Sequence, residues 1–369
     1  MEEETKTKAS ELKKACTNCG AELLYAPGST QLICEYCGNK EAIVPSKIPF
    51  KELKLKPYLE KQGAQSHSEV LTMIQCKNCG ANQHIEDNYK SLHCIYCSMP
   101  LVIADIKEEE WILPGAVLPF QINHDKAHNI FKKWVDGLWF APNNLKKAAL
   151  DPDLTRGLYL PYWTFDAQLD ADYSGKQGTY YYVTVSYNTM ENGKSVRKTR
   201  QEQRTRWTST SGRISGFIDD TLIKASAQRT GQIPQKIERW NLKLLKPFNS
   251  SYLSGFVTEK YTISLNKGHL ESKDEASEIA KYWAKQDIGG DTQRITSLNM
   301  RLSNETFKHI LLPVYISNYK FKGKTYHFYV NGENGTISGQ RPYSVWKIFF
   351  LVVVVIILVI ALGTLAGNG

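Results

Sequence analysis

Two cysteine-rich units constrain this chain more than anything else in it. "CTNCGAELLYAPGSTQLICEYC" runs from Cys16 to Cys37, and "CKNCGANQHIEDNYKSLHCIYC" from Cys76 to Cys97. Each is a pair of C-x-x-C motifs with 14 residues between the pairs. All 8 cysteines of the chain lie in these units, and none follows Cys97. The N-terminal stretch MEEETKTKAS is charged and has no apolar core, so it does not read as a secretory signal. A secreted disulfide scaffold is therefore disfavoured. A redox dithiol would come as one C-x-x-C opening a helix, not as repeated pairs.

The remaining reading is metal ligation. Four thiolates satisfy Zn²⁺, which has no ligand-field preference, in a tetrahedron with bonds of about 2.3 Å. A C-x-x-C turn offers two sulfurs from one knuckle, and a short hairpin brings the second knuckle across. We expect two structural Zn²⁺ sites, one held by Cys16, Cys19, Cys34 and Cys37, the other by Cys76, Cys79, Cys94 and Cys97. Gly20, Gly38 and Gly80 follow three of the four knuckles, where a positive φ is expected; Ser98 follows the fourth. A closed four-cysteine site leaves no position for substrate, so its role would be structural.

The far end of the chain is the second strong signal. Ile348 to Ala366 carries no charge and is almost entirely Val, Ile, Leu, Phe and Ala. Its length matches the hydrocarbon thickness of a bilayer, which predicts a C-terminal transmembrane helix over 346–366. Arg341 and Lys347 flank the N-terminal side of the apolar run and no basic residue follows it. By the positive-inside tendency this gives a single-pass, tail-anchored protein of the cell membrane with its bulk in the cytoplasm.

Between these ends the pattern predicts a multi-domain chain. It comprises a first zinc ribbon (1–45), a linker (46–72), a second ribbon (73–104) and an α+β domain with antiparallel sheet (105–343). Within the last, Ala127, Ile130, Phe131, Trp134, Val135 and Leu138 recur at helical spacing behind a candidate N-cap, Asn123. A second helix is expected in "LESKDEASEIAKYWAKQDI". Asn192-Gly193 marks a hairpin between strands rich in Tyr, Val and Thr. "LYLPYWTFDA" and "ILLPVYISNY" echo each other as a weak internal repeat. The arm "KSVRKTRQEQRTR" is strongly basic and reads first as a solvated strand, with contact to a phosphate or an anionic headgroup as the alternative.

Signs of an enzyme are missing. Gly193-Lys194-Ser195 and Gly323-Lys324-Thr325 lack the upstream glycine of a phosphate-binding loop, Asn188 and Asn318 standing in its place. Asp219-Asp220 reads as a turn pair, and His124/His128 as a solvated helix face. The formal charge of +9 is moderate for 369 residues and selects no partner by itself.

The repeated C-x-x-C-G units resemble TFIIB-type zinc ribbons. With "LPFQINHDKAHNIFKKWVDGLWFAPNNLKK", "FIDDTLIKAS" and "VNGENGTISGQRPYS", the chain is similar over most of its length to bacterial membrane proteins of the YdjG type. Val314-Tyr315 departs from the Trp expected after the second Leu-Pro. The resemblance implies a membrane adaptor in a phage-shock-like envelope stress system, with flotillin-like or phage-shock protein A-like partners. Members are often labelled primosomal helicase, an activity for which this chain has no phosphate loop. The expected function is a scaffold whose two ribbons dock protein partners; the alternative is nucleic-acid binding by the ribbons.

Overall fold

The computed structural model describes residues 14–45, 51–60, 68–77, 81–84, 94–96, 99, 101, 106–148, 155–191, 193–226, 233–321 and 324–367. Three strands dominate it: β9 (Thr155–Glu191), β10 (Lys194–Lys224) and β13 (Thr292–Phe321), of 37, 31 and 30 residues. Ordinary strands run about 3–10 residues. These three are rich in Tyr, Val, Ile and Thr, and Gly193 takes the positive φ (75°) that the β9–β10 hairpin turn requires.

The chain reaches them through a three-stranded ribbon, β1 (Leu23–Tyr25), β2 (Gln31–Cys34) and β3 (Lys40–Ala42). Then come β4 (Leu53–Lys54), α1 (Leu55–Leu59) and a second small sheet of β5 (Ser68–Gln75), β6 (Asn82–His84) and β7 (Ile106–Ile112). After these follow β8 (Ala116–Val117), α2 (His124–Asp136) and α3 (Asn143–Ala148). Beyond β10 lie β11 (Lys246–Pro247), β12 (Val257–Thr258) and α4 (Leu265–Ile288); β14 (Lys324–Asn331), β15 (Ile337–Gly339) and α5 (Val345–Gly367) follow β13.

The main sheet has nine strands, ordered β10-β9-β13-β14-β15 along its spine, with β4, β8, β11 and β12 attached. The spine is antiparallel, while β12 on β9 and β8 on β13 pair in parallel. The two echoing segments face each other across this spine, Leu160 opposite Leu312 and Tyr159 opposite Pro313. Their side chains meet in one core, where Leu158, Leu160, Tyr162, Ile310, Leu312 and Val314 are all buried.

Helix α4 covers one face of β9 and β10 with a seam of small residues. Ala276, Ala280 and Ala284 are buried against Leu169, Ala171 and Ile214. The four-residue spacing keeps that seam in line along the helix. Both predicted helices form. At α2 the Asn123 side chain accepts from the Lys126 amide at 3.0 Å. Asn123→Ala should lower the unfolding free energy by about 1 kcal/mol, the usual cost of losing a polar N-cap; an unchanged denaturant midpoint would contradict that role.

Two expectations need correction. The fold is not an α+β domain with ribbons at one end and a span at the other; it is mostly one large sheet with few helices, and the first ribbon shares its core. Strands β9, β10 and β13 pair with one another over more than twenty residues, which makes this sheet the dominant element. Second, among the described residues no helix is long and apolar enough to cross a membrane. The transmembrane, single-pass, tail-anchored reading, the membrane as partner and the cell-membrane location are overturned on this finding.

Candidate metal centre

The first ribbon brings its four cysteines to one point. Cys16, Cys19, Cys34 and Cys37 place their sulfurs all within 4.8 Å of one another. Cys16 Sγ lies 3.6 Å from Cys37 Sγ, and Cys19 Sγ 3.5 Å from Cys34 Sγ. A tetrahedron with bonds of about 2.3 Å has edges of about 3.8 Å, so the spacing fits a thiolate-bound metal ion. Disulfides would bring sulfurs to about 2.05 Å, and none of the six described cysteines forms one.

Local chain geometry explains the convergence. In each knuckle the first cysteine's amide donates five residues ahead: Cys16 to the Ala21 carbonyl (2.7 Å) and Cys34 to the Asn39 carbonyl (2.9 Å). Gly20 and Gly38 close these turns with φ of 76° and 72°, as the sequence requires. Burial raises the Cys16 thiol, but the amides of Cys19 and Asn18 and the Asn39 side chain aim at its sulfur and bring it down to about 6. The amide of Asn39 lowers Cys37 in the same way. At Cys19 the Ala21 amide pulls downward, yet protons shared with Cys34 and Cys37 outweigh it and the thiol rises to about 12.

The second unit repeats this design where it is described. Cys76 donates to the Ala81 carbonyl (2.9 Å) and Cys94 to that of Met99 (2.8 Å). Both cysteines are buried. Cys79 and Cys97 lie outside the described residues, so the second expected site is not assembled here.

The two units meet the sheet differently. The last knuckle of the second is Cys94-Ile95-Tyr96-Cys97, and Tyr96 is fully buried with its hydroxyl donating to the buried Glu259 carboxylate. Glu259 also accepts from Ser226. The equivalent residue of the first unit, in Cys34-Glu35-Tyr36-Cys37, is Tyr36, which is 86% exposed. The first unit docks through its hairpin instead. Tyr25 donates to the carbonyls of Ser29 and Phe120 (3.0 and 3.2 Å), and Ser254 Oγ to that of Leu23. Leu23, Leu32 and Ile43 are buried with Phe120, Tyr159 and Tyr315.

A second cluster escaped the sequence. Carboxylate oxygens of Asp166, Asp219 and Asp220 also lie within 4.8 Å of one another. The Lys308 ammonium sits among them, 2.8 Å from Asp220, 3.8 Å from Asp166 and 3.3 Å from Glu52. That ammonium already supplies the cation such a group needs, so we read it as an ion network. Burial pushes the Asp166 carboxyl up to about 6 against the opposing pull of the Asp220 amide and Lys308. Two bulges build the cluster. Asp219 and Asp220 of β10 stand opposite the single residue Asp166 of β9, and Asn304 and Glu305 of β13 stand opposite the single residue Ala167. Asp220 and Asn304 accordingly take φ of 52° and 53°, a conformation that Asp and Asn tolerate better than other side chains. His124, placed by the sequence on a solvated face, instead has Nε2 2.7 Å from the Thr155 carbonyl.

Fold and centre define a large-sheet protein with a ribbon docked into its core whose four cysteines could hold a metal ion. The uncharacterized protein YdjG of Bacillus subtilis (strain 168) is 24% identical to it over 340 residues, covering 90% of this chain and 91% of that protein. No family model and no solved structure matches.

Proposed function

We propose that this protein is a scaffold that docks a protein partner through its first ribbon, with Zn²⁺ as the ion held by Cys16, Cys19, Cys34 and Cys37. The observation that carries this reading is the contrast between Tyr36 and Tyr96. One knuckle tyrosine is already spent on an intramolecular seat, in which a carboxylate receives its hydroxyl. Its counterpart is held outward on a loop that four metal bonds would make rigid. An aromatic residue pre-ordered in this way loses little entropy on binding and suits an interface anchor. Val44, 64% exposed, adds apolar surface on the same ribbon. Thiolate-only ligation favours zinc over hard cations such as Mg²⁺ or Ca²⁺, and the resemblance to TFIIB-type ribbons agrees. Between Ala21 and Gly38 this unit carries Glu22 and Glu35 and no Lys or Arg, which disfavours phosphate binding by the ribbon itself.

The test places a photo-crosslinking amino acid at position 36 in living cells, with position 139 as the control because Trp139 is equally exposed (81%). A discrete protein adduct is expected at 36 alone, and Cys34→Ser/Cys37→Ser should abolish it. With the crosslinker moved to position 44, Tyr36→Ala should reduce capture at least about tenfold, the scale of an interface anchor, while leaving the melting temperature unchanged. Equal adducts at both positions, or adducts indifferent to the cysteines, would sink the reading.

A further inference from the structure

Past Gly178 the sheet narrows to two strands. The first residue of β13 pairs with Gly178, which also pairs with Trp207 of β10. Thr179–Glu191 and Lys194–Arg206 therefore have only each other, in unbroken antiparallel register. At about 3.4 Å per residue this ribbon projects about 40 Å.

Register sorts its charges. Alternate residues of a strand share a face, and directly opposed residues share it too. Lys194, Lys198, Arg200, Arg204 and Arg206 are at even positions of β10 and occupy one face, together with their β9 partners Glu191, Tyr187, Val185, Tyr181 and Thr179. The other face carries Arg197 as its one charge among the described residues, with Ser186, Asn188, Thr199, Gln201 and Gln203. What reads linearly as a solvated basic strand is a ribbon with one cationic side. Farther down, this is the side that α4 covers, through Tyr173, Ala171 and Leu169. The helix ends at Ile288, beside Gly175, and leaves the cationic part open.

Five cations there meet two carboxylates. Glu202 holds Arg200 at 2.6 Å and Arg204 at 3.9 Å, and Glu191 pairs with Lys198. Guanidinium groups also lie over rings, Arg200 at 5.6 Å from the Tyr187 centroid and Arg206 at 5.5 Å from that of Tyr181. These stacks fix the direction of the flexible cations.

We propose that this face of the ribbon binds the phosphate backbone of a nucleic acid. Cations interleaved with aromatic rings on an extended strand suit a phosphodiester chain. A two-stranded ribbon is also the size that a major groove of about 12 Å admits, and about 40 Å exceeds one helical turn of about 34 Å. The amide and hydroxyl groups of the opposite face are of the kind that reach base edges. The site is separate from the metal ribbon and does not depend on the scaffold reading.

The test uses the purified full chain, with fluorescein-labelled single-stranded DNA, its duplex and phosphatidylcholine–phosphatidylglycerol vesicles as probes over a salt series. Arg200→Gln/Arg204→Gln/Arg206→Gln should weaken DNA binding at least about tenfold and flatten the slope of log K against log salt by about 2–3, roughly 0.7–0.9 for each phosphate left without its cation. Arg197→Gln on the other face should leave both within about twofold. Glu202→Gln should tighten binding, which guards against loss by misfolding. The single-strand and duplex arms separate the two forms of the ligand. The proposal is overturned by vesicle binding without DNA binding, by an Arg197→Gln loss equal to that of the triple variant, or by a salt slope that the triple variant leaves unchanged.

Discussion

Replacing Lys308 by methionine should destabilise the protein by about 3–5 kcal/mol, the cost of leaving buried charge without its partner. Lys308 is 4% exposed and its ammonium faces Asp166, Asp220 and Glu52, while the Asp166 carboxyl is itself buried. Methionine matches the volume of the stem, so packing loss is small and the charge term decides. The effect carries a pH signature. With its native pKa raised to about 6, above the ordinary 3.8, Asp166 binds a proton more tightly when folded. Its contribution is therefore fully present below 3.8 and is lost as pH rises through about 6. In Lys308→Met the deficit should be largest above that pH and should shrink below it, as Asp166 becomes neutral. Urea unfolding of both proteins between about pH 5 and pH 8 would show this, and Asp166→Asn/Asp220→Asn/Lys308→Met should recover most of the loss. A single variant within about 1 kcal/mol of the parent at the upper end of that range, the scale of an exposed ion pair, would refute the network.

Metal removal is the second large effect. Structural zinc sites in small ribbons contribute about 10–16 kcal/mol of apparent binding free energy at neutral pH. Here the ribbon is also seated on the sheet by Tyr25, Leu23 and Leu32, so metal loss reaches the core through them. Chelation should release the ribbon locally before the sheet unfolds. Amide hydrogen exchange in β1 and β2 should accelerate at least about 100-fold, equivalent to about 2.7 kcal/mol of local protection, while the alanine seam of α4 stays protected. Cys34→Ser should reproduce this without chelator and lower metal content by one ion per chain. Undiminished metal content in that variant, or unchanged exchange in β1 and β2, would rule out a metal centre at these four cysteines.

Part of this was readable in the chain itself. C-x-x-C spacing, the glycines after the knuckles, the Asn123 cap and the Gly193 turn are local: a few bonds set their geometry, so residue type and spacing suffice. The echo of "LYLPYWTFDA" in "ILLPVYISNY" was also visible, though not that the two copies would pair. Other features depend on which strand lies opposite which. Asp166 and Lys308 are far apart in the chain and meet only because β9 and β13 pair in one register, with bulges that turn Asp219 and Asp220 toward them. The uncharged, apolar C-terminal run suggested a span by composition and length, yet among the described residues no helix is long and apolar enough to cross a membrane.

The sequence by itself determined that four cysteines can converge at the first ribbon, because each knuckle is closed by its own backbone bonds and glycine. Only the tertiary structure decided that Tyr96 is buried and Tyr36 exposed, since two nearly identical knuckles differ in what the rest of the chain packs against them. It likewise gathered the arm's cations onto one side, because strand pairing converts an alternating sequence into two faces of different charge.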